Sequence, residues 1–164
     1  MITIKEATNQ DYKIIDDIAR RTWPATYGAI LDKVQLDYML DTFYNEKALQ
    51  ANFANGHRFL LIEEDGVKLG FAAYEHGYKG QNTTRIHKIY ILPETQGKGI
   101  GKKMIDYIEN LALENKSAAL SLNVNRFNKA LTFYQKLGFE IIAEVDIELD
   151  HGYLMEDYVM EKKL

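Results

Sequence analysis

Hydrophobic and polar residues alternate over residues 1–7, and this period of two predicts a short β-strand at the start of the chain. The period then lengthens to that of a helix, which Thr8 or Asn9 can cap and which carries isoleucines on one face. Pro24 is expected to end this helix, so that residues 23–28 form a loop. Two further segments with a helical period are predicted at residues 33–43 and 45–53.

The remainder of the chain alternates between strand-like and helix-like segments. Residues 59–63 and 67–74 alternate on either side of Glu64-Asp65-Gly66, which predicts a β-hairpin with a tight turn. Further strands are predicted at residues 84–92, 118–124, 140–149 and 153–162. Further helices are predicted at residues 99–115 and 128–137, the second ended by Gly138. This order predicts one domain, residues 1–164, of the α/β (α+β) class, with helices on both faces of a mixed sheet.

The composition is that of an ordinary globular protein. Of the 164 residues, 46% are hydrophobic and 27% are charged, which excludes an intrinsically disordered chain. No apolar run reaches the length of a membrane span, and the N-terminus lacks the pattern of a signal peptide, so we expect a cytoplasmic protein without a membrane partner. The net charge of −4 argues against nucleic acid as a partner and favours a cationic one.

Residues that form disulfides or bind metals are scarce. The chain has no cysteine, which excludes disulfides, a thiol nucleophile and zinc–thiolate sites. The four histidines are scattered along the sequence and show no metal-ligand spacing: His57, His76, His87 and His151. We therefore expect no metal centre.

A glycine-rich segment between a predicted strand and a predicted helix is the most informative part of the chain. Gly97, Gly99 and Gly101 lead into the helix, where unpaired backbone N–H groups accumulate. These glycines lack a Cβ, so a phosphate can approach the main chain closely. Three nearby lysines add positive charge: Lys98, Lys102 and Lys103. The spacing fits neither a Walker loop nor a dinucleotide-binding fingerprint, and a pyrophosphate is the expected ligand.

Two segments together resemble the GNAT family of N-acetyltransferases. The segment Gln96-Gly97-Lys98-Gly99-Ile100-Gly101 is similar to the family's acyl-CoA signature, Gln/Arg-x-x-Gly-x-Gly/Ala. The segment from Asn128 to Phe139, which contains Phe133-Tyr134, resembles a second family block, and both occur in the family's order. The resemblance implies a mostly antiparallel sheet of six to seven strands and acetyl-CoA as the cofactor. It also implies acetyl transfer to a primary amine by direct attack through a tetrahedral intermediate.

The resemblance further implies which residues bind the cofactor. Backbone groups of Ile89, Tyr90 and Ile91 are expected to face the pantetheine arm. The loop residues expected to hold the pyrophosphate are Gln96, Gly97, Lys98, Gly99, Ile100, Gly101 and Lys102. Asn128 contacts the pantetheine arm in the family, but it equally fits a helix N-cap that needs no ligand. Lys136 can meet the nucleotide phosphate or can be a solvated charge on a helix surface.

Acetyl transfer needs an acid for the departing thiolate, and Tyr134 is the candidate. A tyrosine hydroxyl has a reference pKa near 10, so it is protonated at neutral pH and can donate a proton. In the family, the tyrosine of the Phe-Tyr pair has this role. The alternative is that Tyr134 is one more aromatic core residue in a chain with 11 tyrosines.

The reaction also needs a base for the amine, and His87 is the candidate. Strand alternation places His87 on the same face as Arg85, Ile89 and Ile91. Imidazole titrates near neutrality, which suits proton abstraction from an ammonium, directly or through water. Family members that acetylate polyamines or arylalkylamines have a glutamate or a histidine at the matching position. The alternative is a hydrogen-bonded strand histidine without a catalytic role.

Aromatic residues are concentrated in the predicted N-terminal helices, the part that covers the acceptor site in the family. Trp23 and Tyr27 are the candidate substrate contacts, and the nearby Asp32, Asp37 and Asp41 would suit a cation. The resemblance is greatest to bacterial spermidine/spermine N-acetyltransferases, which implies a small amine such as a polyamine as the acceptor. The alternatives are a protein N-terminus, an amino acid or an aminoglycoside, or a non-catalytic acyl-CoA sensor. Exposed edge strands of this fold often pair, so a homodimer is also possible.

Overall fold

A computed structural model describes all 164 residues of the chain. Five α-helices are present: α1 (Tyr12–Tyr27), α2 (Lys33–Phe43), α3 (Glu46–Ala54), α4 (Ile100–Glu114) and α5 (Ala130–Lys136). Seven strands are present: β1 (Ile2–Glu6), β2 (Arg58–Glu64), β3 (Val67–Glu75), β4 (Thr83–Ile91), β5 (Ala119–Asn125), β6 (Glu140–Glu148) and β7 (Leu154–Lys163). None of the helices combines the length and the hydrophobicity that a membrane span requires.

The seven strands form one mixed sheet in the order β1-β2-β3-β4-β5-β7-β6. The pairs β1–β2, β2–β3, β5–β7 and β6–β7 are antiparallel, whereas β4 and β5 are parallel. The predicted class, the number of strands and the mostly antiparallel arrangement are therefore confirmed.

The prediction that Pro24 ends the first helix is wrong, because α1 continues to Tyr27. Proline cannot donate to the carbonyl four residues earlier, which costs about 3 kcal/mol in a helix interior. The aromatic side chains on either side of Pro24 offset this cost. Trp23 and Tyr27 pack with ring centroids 4.7 Å apart, and Trp23 is 3% exposed. Gly28 N then donates to the Pro24 carbonyl at 2.9 Å, so the last turn is closed.

The chain forms two compact units. The first unit contains residues 1–75 and 87–108, and the second contains residues 76–86 and 109–164. The core of the first unit includes Ile15, Leu49, Phe59, Phe71 and Met104, all fully buried. The core of the second unit includes Ala112, Leu120, Leu122, Phe139 and Met160.

Residues close together in sequence determine where α2 and α3 begin in the first unit and how the chain turns between β2 and β3. The side chains of Asp32 and Asn45 cap α2 and α3, accepting from Gln35 N at 2.8 Å and from Ala48 N at 2.7 Å. The hairpin turn has positive φ at Asp65 (50°) and Gly66 (85°), as the tight turn predicted from the sequence requires.

In the second unit, β5 pairs with β4 along only part of that strand. The parallel pairing runs from Thr83↔Ala119 to Ile86↔Leu122. Residues 87–91 of β4 therefore extend beyond the paired part, and their backbone groups on that side are not engaged by β5. Strand β6 lies at the edge of the sheet, and eight of its nine residues are exposed.

Candidate active site

The loop between β4 and α4 has the backbone conformation that its glycines permit. Gly97 has φ 87° and Gly99 has φ 72°, both in the left-handed region. A Cβ added at either position would meet no atom within 4 Å. Backbone conformation rather than packing thus requires glycine here, and the space beside both residues is open.

The start of α4 leaves backbone donors available. Gly99 directly precedes the helix and has no side chain that could cap it. The helical hydrogen bonds begin with Lys103 N, which donates to the Gly99 carbonyl at 3.0 Å. The N–H groups of Ile100, Gly101 and Lys102 lie in the first turn and have no partner within the helix. Together with the positive end of the helix dipole, they form a site that fits the pyrophosphate of coenzyme A.

Lys98 and Lys102 differ in whether their charge is free to interact with a phosphate. Lys102 Nζ donates to Asp106 one turn later at 2.6 Å, so its charge is shared with a carboxylate. Lys98 is exposed and lies between the two glycines with positive φ. Lys98 is therefore the better placed of the two for a phosphate.

The end of β4 is held by close packing within the first unit. A Cβ at Gly70 of β3 would lie 2.6 Å from the Tyr90 carbonyl oxygen and 2.6 Å from Ile91 Cδ1, so only glycine permits this approach. Leu92 N donates to the Leu69 carbonyl at 2.9 Å. These contacts fix the backbone of Ile89, Tyr90 and Ile91, the segment expected to face the pantetheine arm.

The candidate substrate residues Trp23 and Tyr27 belong to a packed aromatic cluster. The Tyr90 ring lies 5.7 Å from Trp23 and 5.8 Å from Phe71, and its hydroxyl lies 3.0 Å from that of Tyr27. Trp23 is buried, whereas Tyr27 is partly exposed. Trp23 therefore contributes to the core, and Tyr27 is the member of the pair that a ligand could reach.

The three aspartates that were expected to suit a cation have other partners. Asp32 caps α2. Asp37 forms an ion pair with Lys33 at 2.6 Å, and Asp41 forms one with Arg20 at 3.0 Å. The expectation that these carboxylates are arranged for a cationic ligand is not supported, because each stabilises a helix or an ion pair instead.

The fold brings together three residues that are distant in sequence. His87 Nε2 lies 2.8 Å from Glu75 Oε1, and the ring of His57 stacks on that of His87 with centroids 3.8 Å apart and planes 7° apart. His57 Nε2 lies 3.7 Å from the same carboxylate oxygen. Two of the histidines described as scattered are therefore neighbours. The three ligand-type atoms lie within 4.8 Å of one another, a grouping that the sequence spacing did not reveal.

Sequence reasoning missed Glu75 and His57, although the hairpin carried a signal for both. Arg58 pairs with Tyr74 in the β2–β3 register, so the next positions outward, His57 and Glu75, lie opposite each other. Extending the predicted hairpin by two residues at its first end and by one residue at its last end would have identified the pair.

Burial shifts the pKa of two groups in or beside this cluster, His57 and Lys88. Burial lowers the pKa of His57, with the positive charge of Lys88 acting in the same direction and Glu75 opposing both. Lys88 is itself half-buried, and the loss of solvent lowers its pKa to about 8. Its Nζ donates to Asn52 Oδ1 at 3.1 Å and lies over the Tyr44 ring, 5.7 Å from the centroid.

Tyr134, the candidate acid, lies in the second unit on α5. It is 8% exposed, and its ring packs edge-on against Phe139 with centroids 5.9 Å apart. Gly138 has φ 98° and ends the helix, as predicted. The side chain of Tyr134 thus packs in the core, and this packing fixes the direction of its hydroxyl.

Asn128 precedes the same helix and has a structural partner. Its Oδ1 accepts from Ala130 N at 2.9 Å, which fits the predicted capping role, although α5 begins at Ala130, two residues later than expected. Lys136 lies exposed in the last turn of α5, where a lysine interacts favourably with the helix dipole.

Comparison with known proteins identifies the family of the chain. The acetyltransferase (GNAT) domain matches residues 55–141. The chain is 27% identical over 157 residues to the uncharacterized N-acetyltransferase YuaI of Bacillus subtilis, covering 91% of this chain and 86% of that protein. It is 24% identical over 168 residues to the spermidine N(1)-acetyltransferase of Thermoplasma acidophilum, covering 99% and 97%.

A solved structure has the same fold. The crystal structure of PaiA N-acetyltransferase from Thermoplasma acidophilum, in complex with coenzyme A, superposes with a TM-score of 0.81 at 24% identity, covering 100% of this chain and 99% of that one. The chain therefore belongs to the GNAT family of acetyltransferases, enzymes that use acetyl-CoA as the acetyl donor.

Proposed function

We propose that this N-acetyltransferase acts on a small primary amine, with polyamines as the leading class. The observation that carries the proposal is the 2.8 Å contact between His87 and Glu75. A neutral imidazole can accept the proton of an ammonium group, and the neighbouring carboxylate offers negative charge to a cationic acceptor. The net charge of −4 and the similarity to a spermidine acetyltransferase along nearly the whole chain support the same class.

Binding of acetyl-CoA is assigned to the two backbone segments described above. The N–H groups after Gly97 and Gly99 bind the pyrophosphate, with Lys98 adding charge. Backbone groups of β4 residues 89–91, beyond the pairing with β5, bind the pantetheine arm. Contacts from Asn128, Lys102 and Lys136 are secondary, because each already has a local structural or electrostatic role. When bound, acetyl-CoA supplies the activated acetyl group.

Tyr134 is proposed as the proton donor to the departing thiolate. Tyr134→Phe keeps the packed ring and removes the acidic proton. We therefore expect turnover about 10²- to 10⁴-fold slower with nearly unchanged affinity for CoA, as measured by thiol release and calorimetry. Tyr107→Phe, at an exposed tyrosine, is the matched control and should leave both unchanged. Full activity of Tyr134→Phe would show that Tyr134 serves only the core.

The acceptor is tested by thiol release from acetyl-CoA across a panel of amines. We expect spermidine, spermine and other small primary amines to accelerate release, and peptides with free N-termini to be poor acceptors. Acetylation of peptide N-termini with none of the polyamines would contradict the proposal.

A second acceptor class is an amine that also carries a carboxylate, such as an α-amino acid. In the second unit, Arg85 is largely buried, its Nε has no hydrogen-bond partner, and burial lowers its pKa. Asp157 is buried within electrostatic reach, and burial raises the pKa of its carboxyl. A buried guanidinium with an unused donor suits a carboxylate. Amino acids in the same panel, assayed with Arg85→Gln as well, decide between the two classes.

A further inference from the structure

We propose that Glu75 and His57 are positioning residues for His87: the carboxylate orients its imidazole and stabilises the imidazolium, and the stacked ring holds its plane. This inference rests on the proposed role of His87 as the general base. It assigns roles to two residues that lie outside the sequence motifs.

The role of Glu75 follows from the geometry of its contact. A carboxylate only accepts hydrogen bonds, so the 2.8 Å contact between Oε1 and Nε2 requires a proton on Nε2 of His87. The neutral ring is thereby held as the Nε2–H tautomer, and Nδ1 carries the lone pair. When His87 takes a second proton, the adjacent negative charge stabilises the cation. The half-buried position of both groups reduces screening by solvent.

The role of His57 follows from the position of its ring, because its ring nitrogens form no hydrogen bond with Glu75. Its Nε2 lies 3.7 Å from Glu75 Oε1, beyond hydrogen-bond distance, and its Nδ1 is buried without a partner. What remains is a flat surface 3.8 Å from the His87 ring and nearly parallel to it. This surface prevents His87 from rotating away from Glu75.

The charged groups around the cluster favour protonation of His87 over protonation of His57. Two stacked imidazolium cations would repel each other, so only one ring of the pair can carry the proton. The charged and titratable groups that face the cluster are Glu75 at the end of β3, His57 before β2 and Lys88 on β4. Burial and Lys88 lower the pKa of His57, and His57 makes no hydrogen bond to Glu75. His57 therefore stays neutral when His87 is protonated.

All three residues lie in the first unit, with His57 and Glu75 at adjoining ends of β2 and β3 and His87 in the middle of β4. The β2–β3 register fixes His57 opposite Glu75, and the hydrogen bond to Glu75 adds His87 from β4. The backbone register therefore determines the positions of His57 and Glu75. Such fixed positions suit residues that must hold the His87 side chain in place.

The tautomer can be read directly in the wild-type protein. Long-range proton–nitrogen NMR of the histidine rings should show His87 as the Nε2–H tautomer at a pH above its titration. A spectrum with the proton on Nδ1 would overturn the role of Glu75, and this measurement does not depend on the folding of any variant.

Kinetics of Glu75→Gln test the energetic role. We expect kcat to fall about 10- to 100-fold with KM for acetyl-CoA unchanged. The ionisation of the base in the pH profile of kcat/KM should move about one unit or more to lower pH, because the imidazolium loses its counter-charge. Glu46→Gln, at an exposed glutamate of the same unit, removes the same charge and should change neither kcat nor the profile. A wild-type profile for Glu75→Gln would overturn the inference.

Replacing His57 separates stacking from chemistry. His57→Phe keeps a flat ring and should stay within about threefold of wild-type activity, whereas His57→Ala should be about tenfold slower. A His57→Phe variant as slow as His57→Ala would overturn the stacking role.

A His87→Ala variant distinguishes this inference from the proposed function. If His87→Ala has a wild-type rate and pH profile, the proposed base itself is wrong. If His87→Ala is slow and Glu75→Gln is not, only the positioning role fails. We expect Glu75→Gln added to His87→Ala to cause no further loss, because the carboxylate acts through the imidazole.

Discussion

Helix α2 and the start of helix α4 lie in the same compact unit, and the two helices begin in opposite ways. At the start of α2, the Asp32 side chain accepts from Gln35 N at 2.8 Å, and Asn45 does the same for α3. At the start of α4, Gly99 offers no side chain, and the loop before it has positive φ at Gly97 and Gly99. The chain satisfies the donors of α2 and α3 itself and leaves those of α4 for a ligand.

This difference shows how to recognise a binding site from a helix start. Backbone donors at a helix N-terminus need a partner, and a sequence that places aspartate or asparagine there supplies one. Glycine at the same position has no side chain that could accept from these donors, and it leaves the space in front of them open. The family to which the chain belongs uses acetyl-CoA, and we propose that its pyrophosphate supplies the missing acceptors.

The largest expected effect comes from placing a charge in the open start of α4. A Cβ at residue 99 would meet no atom within 4 Å, and aspartate tolerates positive φ better than most residues, so Gly99→Asp weakens binding mainly by repelling phosphate. We expect CoA affinity, measured by calorimetry, to fall about 100-fold, which corresponds to about 3 kcal/mol.

Gly99→Asn is the matched control for this substitution. Asparagine has nearly the same shape, tolerates positive φ and can cap the helix as aspartate does, but it is neutral. We expect it to lose about tenfold in affinity, because it occupies backbone donors, and Gly99→Asp to lose more, because only the carboxylate repels phosphate. Wild-type affinity of both variants would show that phosphate does not lie near residue 99.

The start of α5 is intermediate between the capped start of α2 and the open start of α4. Its Asn128 side chain caps the helix and is also expected to contact the cofactor. Asn128→Ala removes the hydrogen bond to Ala130 N and should lower the free energy of unfolding by about 1 kcal/mol. Asn128→Asp keeps the accepting oxygen and should restore this stability. If Asn128→Asp is stable but binds CoA as weakly as Asn128→Ala, the amide group contacts the cofactor. If it binds CoA as wild type does, Asn128 serves only the helix.

At the start of α2, the reverse result is expected. Asp32→Ala should lower the free energy of unfolding by about 0.5–1 kcal/mol in denaturant titrations, since a capping bond is lost. CoA affinity should not change. A clear loss of affinity would contradict the distinction between capped and open helix starts.

The smallest effects concern the lysines beside the open start. Lys98→Ala should weaken CoA binding two- to fivefold at low salt, a change of about 0.5–1 kcal/mol that salt reduces. Lys102→Ala should have less effect, because Asp106 already neutralises that lysine. The opposite ranking in calorimetric titrations at two salt concentrations would show that the Lys102–Asp106 pair opens for the ligand.

Most elements of the fold were predictable because their signals are local. The helix Lys33–Phe43 was predicted with its observed boundaries, and the hairpin turn at Asp65-Gly66 was read from two residues. The failure at Pro24 has a different cause. Trp23 and Tyr27 pack against Tyr90, which lies 63 residues after Tyr27 in the chain, and this packing outweighs the local preference of proline.

The same distinction holds for the candidate site. The glycine loop is contiguous in sequence, so its conformation and its open helix start could be anticipated. The cluster of His57, Glu75 and His87 comes from three separate segments, and only the fold brings these side chains together. The burial of Trp23 and the ion pairs of Asp37 and Asp41 likewise depend on tertiary contacts.

We propose that backbone N–H groups of the Gln96–Gly101 loop bind coenzyme A. The most direct test follows the backbone amide signals of the ¹⁵N-labelled protein by NMR as CoA is added. We expect the largest changes at the amides of Gly97, Gly99, Ile100 and Gly101, and little change at Gln35 and Ala48, whose N–H groups are already capped. Saturable CoA binding that leaves the loop amides unchanged would show that these N–H groups do not bind the cofactor.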